Sequence, residues 1–219
     1  MDVVIDFSHV QGERASVRWA HPISFQLERG QYYLIRTNST LSSPMFRLCL
    51  GFSDPSVGDV RVEGRAPHAM SRYAVRDFRR TIGCVFEPDG LVANLTLKMN
   101  LVVPLVFATG LEYEEAMARA DSMLQVMHLS MWADVRPAAL PAEIRQTAAL
   151  ARALCPRPAL LLLENPLASV DDKETRRLMS LCRAQAETLL VITHRYDSVL
   201  NEFSDASFVW DDDGFRTAA

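Results

Sequence analysis

The sequence predicts an α/β fold whose central sheet is mostly parallel, and three observations support this prediction. Two continuous apolar runs, 160–163 and 188–193, are typical of strands that are covered on both faces. Between residues 112 and 129, apolar residues recur near i, i+3, i+4 and i+7, which indicates an amphipathic helix. Predicted strands and helices alternate along the chain, and a parallel sheet is built in this order.

Each element is predicted from its local pattern. Residues 3–7 and 23–27 form the first two predicted strands, and the second alternates strictly between apolar and polar residues. Residues 45–50 form an apolar run between Pro44 and Gly51, which stand where helices commonly begin and end. The remaining predicted strands are 32–35, 59–62, 82–86, 160–163 and 188–193, and the remaining predicted helices are 112–129, 144–154 and 174–181.

The composition excludes several classes of protein. The chain has 219 residues, of which 49% are hydrophobic, so it can bury the core of one large α/β domain and does not have the composition of a disordered chain. Its formal net charge is −4, whereas a dedicated nucleic-acid-binding protein usually has a basic face. We therefore expect no nucleic-acid partner.

The cysteines and the N-terminal residues indicate a compartment. No two of the four cysteines form a CxxC pair, and a chain of this size does not need a disulfide framework, so we expect reduced thiols. The first residues lack the basic and apolar regions of a signal peptide, and no apolar run is long enough to span a bilayer. We expect a cytoplasmic protein that is peripheral to the inner or cytoplasmic membrane and reaches it through a partner.

Several segments occur in an order that resembles a known family: 64–72, 94–105, 140–154 and 157–166. Together they resemble the nucleotide-binding domain of ABC transporters over nearly the whole chain. Within that family they are most similar to the ATPase subunit of MCE-linked bacterial lipid transporters. The resemblance implies an ABC-type P-loop NTPase-like fold with antiparallel N-terminal strands. It also implies a single domain over residues 1–219 with a helical subdomain at about 88–155.

The phosphate loop of this family, GxxxxGK[ST], has few matching residues here. By the resemblance, Ser42 stands at the lysine and Ser43 at the hydroxyl that binds magnesium. The other nucleotide-binding positions of this degenerate loop are Arg36 at the first glycine, Asn38, Ser39, and Leu41 at the last glycine. We predict either a reshaped, weak phosphate site or a structural loop that caps a helix.

Two polar residues follow strand 160–163, where the family has a magnesium ligand and a general base. By the resemblance, Glu164 keeps the charge of the magnesium ligand. Asn165 stands at the base, and an amide cannot accept a proton from water. We therefore predict that hydrolysis by this base position is lost or very slow. Asn165 could instead cap the turn before Pro166.

The signature motif of the family is altered as well. By the resemblance it falls on Pro141, Ala142 and Glu143. Pro141 has no hydroxyl or N–H to offer a phosphate, and Glu143 places a negative charge where phosphate would sit. A helix with an acidic residue in its first turn explains this stretch better than an anion site does.

Three further family positions can be matched. Glu87 stands at the glutamine of the Q-loop, His194 at the switch histidine and Asp171 at the D-loop aspartate. A histidine such as His194 is more often structural than catalytic, and Asp171 could cap the helix over 174–181. His9 and Trp19 are the candidates for an aromatic residue that stacks on adenine.

Two hypotheses about function follow. The main hypothesis is a non-catalytic ABC subunit of a membrane transporter, in lipid or other envelope transport, with no cofactor. The alternative is a genuine but divergent ATPase subunit that binds ATP and Mg²⁺ through Ser39, Ser43, Glu164 and His194. A weaker third hypothesis is a soluble regulator that binds an unrelated partner.

The resemblance also implies partners. An integral-membrane permease is expected to dock in a groove around residues 87–130, and a second ABC subunit is expected in a homodimer or heterodimer. The polar residues expected to be exposed at this groove are Glu87, Asp89 and Lys98. The apolar candidates, which belong either to the groove or to the core, are Phe86, Leu91, Leu95, Leu101 and Leu105.

Overall fold

The computed structural model describes residues 2–13, 18–38, 42–211 and 213–218. Its strands are β1 (Val3–Gly12), β2 (Arg18–Glu28), β3 (Tyr32–Thr37), β4 (Asp59–Val62), β5 (Ile82–Val85), β6 (Leu160–Glu164), β7 (Thr188–Thr193), β8 (Ala206–Asp211) and β9 (Gly214–Thr217). Its helices are α1 (Ser42–Cys49), α2 (Arg72–Arg79), α3 (Leu97–Pro104), α4 (Tyr113–Val126), α5 (Ala142–Leu154), α6 (Asp172–Gln185) and α7 (Ser198–Phe203). A π-helical turn, Leu105–Thr109, follows α3 directly.

The chain divides into two compact units. The first unit comprises Met1–Arg79 and Glu187–Ala219, and the second comprises Arg80–Ala186. All the secondary-structure elements between residues 88 and 155 are helices. The expected helical subdomain inside a single domain stays a prediction, because a division into compact units does not define it.

The first unit contains a mostly parallel layer and an antiparallel layer. Strand β3 pairs in parallel with β7 on one side and β8 on the other, and β9 adds an antiparallel edge to β8. Strand β1 pairs antiparallel with both β2 and β4. Phe25 of β2 stacks on Phe7 and on Phe215, with 4.8 Å and 4.6 Å between ring centroids. Such aromatic stacking stabilises the two layers.

The second unit is built around a parallel strand pair. Cys84 lies opposite Leu162 and Val85 opposite Leu163, so β5 and β6 end at the same edge. All five residues of β6 are buried, which agrees with the continuous apolar run that predicted this strand. Helix α5 buries an alanine- and leucine-rich face, and α4 buries Ala116, Ala120 and Leu124.

The fit of α5 against β5 depends on Gly83. A Cβ atom at Gly83 would lie 2.7 Å from the Ala153 carbonyl oxygen, 2.7 Å from Pro158 Cγ and 2.8 Å from Leu161 Cδ1. Two of these three atoms belong to backbone or ring, so the helix or the Pro158 loop would have to move.

We expect Gly83→Ala to lower the free energy of unfolding by about 1–3 kcal/mol, because it overpacks a closely fitted core. Urea unfolding of the whole chain measures this change. Gly110→Ala measures the cost of backbone strain without a close contact, because a Cβ there meets no atom within 4 Å and only the φ of +71° strains it. A Gly83→Ala variant that is as stable as the unchanged chain would contradict the close fit.

The structure confirms the α/β class and the predicted strands and helices. Most of these elements begin or end a few residues away from the predicted position. It also contains α2, α3, α7, β8 and β9, which the sequence pattern did not predict. Tyr113 belongs to the apolar period between residues 112 and 129 that predicted α4, but it is 51% exposed. No helix in the described residues has the length and apolar character that a membrane crossing requires.

Candidate functional site

Polar groups of the first unit gather where β3 and β7 end. Arg36 lies opposite Thr193 in the parallel register, so the loop after β3 and the loop after β7 leave neighbouring strands at the same edge. The carboxyl edge of a parallel sheet is where open α/β folds bind ligands. His194 is exposed immediately after β7, so it is not a buried structural histidine.

Two polar atoms at this edge have unused hydrogen-bonding capacity. The Arg36 guanidinium lies over the Tyr196 ring at 5.7 Å from the centroid. Within the described residues, neither Arg36 Nε nor Thr37 Oγ1 has a hydrogen-bond partner, although both atoms are buried. Buried polar atoms are nearly always paired, so an unpaired cationic donor and hydroxyl here suit an anionic ligand.

The loop after β3 is described only in part. Asn38 is exposed, whereas the predicted site residues Ser39 and Leu41 lie outside the described residues. Ser42 begins α1 and is only 1% exposed, and Ser43 follows it half-buried. A short buried hydroxyl at position 42 cannot supply the positive charge of the family's lysine. Arg36, near the end of β3, carries a positive charge close to this loop in sequence.

A second set of polar groups lies where β5 and β6 end in the second unit. The Asn165 amide donates from Nδ2 to Glu87 Oε2 at 2.7 Å. The backbone N–H of Glu87 donates to Glu164 Oε2 at 3.2 Å. Glu164 and Asn165 are 3% and 6% exposed, whereas Glu87 is exposed. The structure therefore joins three predicted site residues in one hydrogen-bonded group.

Asn165 is held in a left-handed backbone conformation, with φ of 42°. Asparagine adopts this conformation more readily than most residues, so its occurrence after β6 has a local physical reason. Pro166 follows at once, as expected for a turn. The side chain of Asn165 nevertheless donates a hydrogen bond to Glu87, which the sequence pattern did not predict.

The positions assigned to the signature motif and the D-loop lie at the N-terminal ends of two helices, α5 and α6. Helix α5 begins at Ala142, after Pro141, and Glu143 is exposed in its first turn. Asp171 is the N-cap of α6 and accepts a hydrogen bond from the Glu174 backbone N–H at 2.9 Å. A cavity of about 350 Å³ lies between these ends, and three carboxylates line it, those of Glu143, Asp171 and Glu174. This lining does not suit an anion.

Trp19 does not present a free face for adenine. Its ring is 5% exposed and packs edge-on against Trp210, with 4.6 Å between ring centroids. This expectation is therefore wrong, and the physical reason is burial in the core of the first unit. His9 is exposed, with φ of 52°.

An apolar groove of about 320 Å³ lies on the second unit, at α3 and the π-helical turn. Val92 and Phe107 line it and are 46% and 69% exposed, so the groove presents apolar side chains to solvent. Val103 and Pro104 complete an apolar wall, and Arg80 and Arg152 add positive charge.

The residues expected at the groove are only partly there. Leu101 and Leu105 are fully buried, so they belong to the core, whereas Leu95 lines the groove. The remaining candidates, Phe86 and Leu91, are half-buried.

The expectation of exposed charges is wrong for two residues. Asp89 accepts from the Leu91 backbone and pairs with Arg145 at 3.2 Å, so it is half-buried. Lys98 pairs with Asp121 at 2.7 Å, and that hydrogen bond raises the pKa of Lys98 above its ordinary value. A charge reversal at either residue would break an ion pair of the fold.

The comparisons with known proteins agree with this architecture. The ABC transporter family matches residues 20–168, which is more than half of the chain. The chain belongs to the ABC transporter family. Within it, the chain is 31% identical over 194 residues to the methionine import ATP-binding protein MetN of Latilactobacillus sakei. It is 30% identical over 184 residues to the methionine import ATP-binding protein MetN 1 of Pseudomonas fluorescens.

These relatives are longer than the chain. The matches cover 86% and 82% of the chain but only 56% and 55% of the two MetN proteins. The chain therefore spans about half the length of the curated relatives it matches. Both relatives are named for methionine import, so they do not support the expected similarity to MCE-linked lipid transporters.

Solved structures show the same fold. The dimeric ATP-binding cassette MJ0796, bound to ADP and Pi in a post-hydrolysis state, has a TM-score of 0.86 at 23% identity and covers 97% of this chain and 98% of that one. The protein cbiO1 of Clostridium perfringens, part of the cbiONQ transporter complex, has a TM-score of 0.81 at 20% identity and covers 100% of this chain and 88% of that one. The expected ABC-type fold is thus confirmed.

Proposed function

We propose that this chain is the ATP-binding subunit of an ABC transporter and that it binds and hydrolyses ATP. The observation that supports ATP binding best is the buried Arg36 Nε at the end of β3, which has no hydrogen-bond partner among the described residues. A phosphate would satisfy this donor, and a guanidinium supplies the charge-assisted contact that Ser42 cannot. The names of the relatives, which are ATP-binding proteins, favour the same function.

The chemistry of Glu164 fits Mg²⁺, the metal that ATP hydrolysis in this family implies. Glu164 presents a buried carboxylate at the end of β6 in the second unit. Mg²⁺ prefers oxygen donors of this kind, together with waters and substrate phosphates. When bound, the ion would neutralise phosphate charge.

We also propose that the apolar groove receives a segment of a membrane permease. Its exposed apolar wall needs a covering surface, and the positive charge of Arg80 and Arg152 suits a short apolar helix with an acidic end. The chain would then lie peripheral to the membrane. It would pair with a second ATP-binding subunit, as MJ0796 does in its dimeric structure.

A non-catalytic subunit that docks in the same way is the second candidate function. The buried serine at position 42 and the amide at position 165 favour it. The comparisons favour the ATPase, because the relatives are named as ATP-binding import proteins. For the same reason, a small solute is a better proposal for the cargo than a lipid.

The groove can be tested by two substitutions at its most exposed apolar side chains. We expect Val92→Asp and Phe107→Asp to abolish co-purification of the chain with its permease, because a carboxylate in an apolar interface loses its hydration without gaining a partner. The free energy of unfolding should change by no more than about 0.5 kcal/mol, since both side chains are exposed. Affinity purification from detergent-solubilised membranes measures the first effect, and urea unfolding measures the second.

Met131→Asp is the matched control for this experiment. Met131 also lies in the second unit and is 80% exposed, but it does not line the groove. Retention of the permease by the two groove variants, or its loss in the Met131 variant, would reject the groove as the docking surface.

A further inference from the structure

A further cavity in the second unit combines positive charge with an apolar wall. It measures about 510 Å³ and lies between α4, the segment that follows α5 and the last residues of α6. Arg119 and Arg157 line it, and we name it the arginine cavity. We propose that the arginine cavity binds an organic phosphate, a small molecule with one phosphate group and an apolar part. The proposal does not depend on the ATPase function.

The lining of the arginine cavity contains two cations and, among the described residues, no acid. Arg119 lies in the middle of α4, and Arg157 follows the end of α5. In the whole chain, 27 acidic residues outnumber 23 lysines and arginines, so this lining is not a consequence of composition. The other lining residues are the polar Ser122 and Gln185 and the apolar Met123, Val126, Cys155 and Ala184.

Arg119 has unused hydrogen-bonding capacity. Its Nη2 is buried and has no hydrogen-bond partner among the described residues. Buried donors of this kind are nearly always paired in folded proteins. A phosphate oxygen would supply the missing acceptor, and the resulting hydrogen bond would be charge-assisted.

Both guanidinium groups act on the Cys155 thiol. Burial raises the pKa of Cys155 to about 11, and the positive charges of Arg119 and Arg157 oppose this rise. Charges shift a pKa in this way at short range, so the two guanidinium groups lie near the same part of the cavity wall. Their combined charge matches the charge of about −1.5 to −2 that a phosphate ester carries at pH 7.

The backbone restricts the position of Arg157. This residue stands between Pro156 and Pro158 and has φ of 59°, in the left-handed region. Its N–H donates to the Leu154 carbonyl at 2.8 Å, directly after α5. A cation on a segment that is already fixed loses less conformational entropy when it binds a ligand.

The end of a helix gives these arginines a second possible role, which is structural. Helices α5 and α6 both end at this cavity, and cations near a helix C-terminus can donate to the last carbonyl groups. Arg119 Nη2 does not do so, since it has no acceptor among the described residues. An anionic ligand accounts for this atom, whereas a structural role does not.

The apolar wall indicates what the phosphate is attached to. Val126 is 41% exposed at this cavity, and Met123 lines it one helical turn away. A free phosphate ion would leave most of a cavity of about 510 Å³ unused. An organic phosphate covers the apolar side chains as well, and a volume of this size is typical of small-molecule sites.

The test titrates full-length chains with phenyl phosphate in a calorimeter. Every chain carries Arg36→Gln, which removes the cation proposed to contact ATP. We expect Arg119→Gln and Arg157→Gln each to weaken binding by about 10- to 150-fold, because each removes a hydrogen bond to a charged group. Arg136→Gln is the control and should leave the Kd unchanged, since Arg136 is exposed in the same unit and does not line the cavity.

Melting temperatures without ligand separate ligand binding from a structural role. We expect Arg119→Gln to melt at or above the temperature of its parent chain, because it removes a buried donor that has no partner. A guanidinium that held the helices together would lower the melting temperature when removed. That result would overturn the inference.

Two further probes test the class of ligand. Inorganic phosphate lacks the apolar part and phenol lacks the charge, so we expect each to bind more weakly than phenyl phosphate. If either probe binds as tightly as phenyl phosphate, the assignment to an organic phosphate is overturned.

The remaining outcomes decide whether the arginine cavity is the site. No binding of phenyl phosphate, an unchanged Kd in both cavity variants, or equal weakening in Arg136→Gln would overturn the inference. Titration of the unchanged chain with Mg-ATP tests the proposed function separately. ATP binding there, together with any of these three results, would leave the proposed function standing.

Discussion

Arg36→Gln is expected to weaken ATP binding by about 10- to 150-fold, the equivalent of about 1.5–3 kcal/mol for a hydrogen bond to a charged group. The guanidinium lies over Tyr196, and its Nε is buried with no hydrogen-bond partner among the described residues. The substituted chain would have lost the cation at the end of β3 that can contact phosphate. Isothermal titration of the full chain with Mg-ATP measures the change in Kd.

The chain offers a closely matched control for this substitution. Arg76 also lies in the first unit, with its guanidinium over the Tyr73 ring at 5.8 Å, but it is an exposed residue on α2. Arg76→Gln should leave the Kd for ATP unchanged. Equal weakening in both variants would indicate a general charge effect, and an unchanged Kd in Arg36→Gln would remove Arg36 from the phosphate site.

Asn100→Leu is expected to destabilise the chain by about 2–4 kcal/mol, because it leaves two backbone groups of Val92 without their partner. Asn100 is 1% exposed; its Oδ1 accepts from the Val92 N–H at 2.7 Å, and its Nδ2 donates to the Val92 carbonyl at 3.2 Å. One buried amide thus fixes the segment that carries the exposed Val92 side chain of the groove. Urea unfolding measures the loss.

Asn94→Leu, in the turn before α3, is the control for replacing an asparagine by leucine in this part of the chain. Asn94 is exposed, so its variant should unfold within about 0.5 kcal/mol of the unchanged chain. We also expect Asn100→Leu to weaken co-purification with the permease, since Val92 would no longer be held at the groove. A variant that keeps full stability would show that Asn100 does not organise this loop.

Much of the fold could be predicted because local pattern and tertiary environment agree. The apolar run at β6 is stable only when both faces of the strand are covered, and the periodic apolar face of α4 only when it packs on a neighbour. Each local pattern therefore indicates which faces are buried in the fold. Helix α2 was missed for the opposite reason. This helix is short and mostly polar, and Phe78 is the one residue of its eight that is buried, so it offers little apolar surface by which the sequence could mark it.

The candidate site was predictable as a set of positions but not as a set of contacts. Matching the family's motifs placed Glu87, Glu164 and Asn165 at functional positions. Each residue that differs from the family motif was then interpreted as a loss of nucleotide binding or hydrolysis. The hydrogen bond from Asn165 to Glu87 joins residues that are 78 positions apart, and no local pattern reports such a contact. The expected exposure of Asp89 and Lys98 failed likewise, because their partners Arg145 and Asp121 are distant in sequence.

By itself, the sequence determined the α/β class, the order of most elements, the family and the amide at position 165, since these depend on residue identity and local period. Only the tertiary structure decided that a carboxylate bonds that amide, that Arg36 carries an unpaired buried donor, and that Val92 and Phe107 remain uncovered. Hydrogen bonding and burial depend on which segments meet in space. Folding brings into contact groups that are far apart in the sequence.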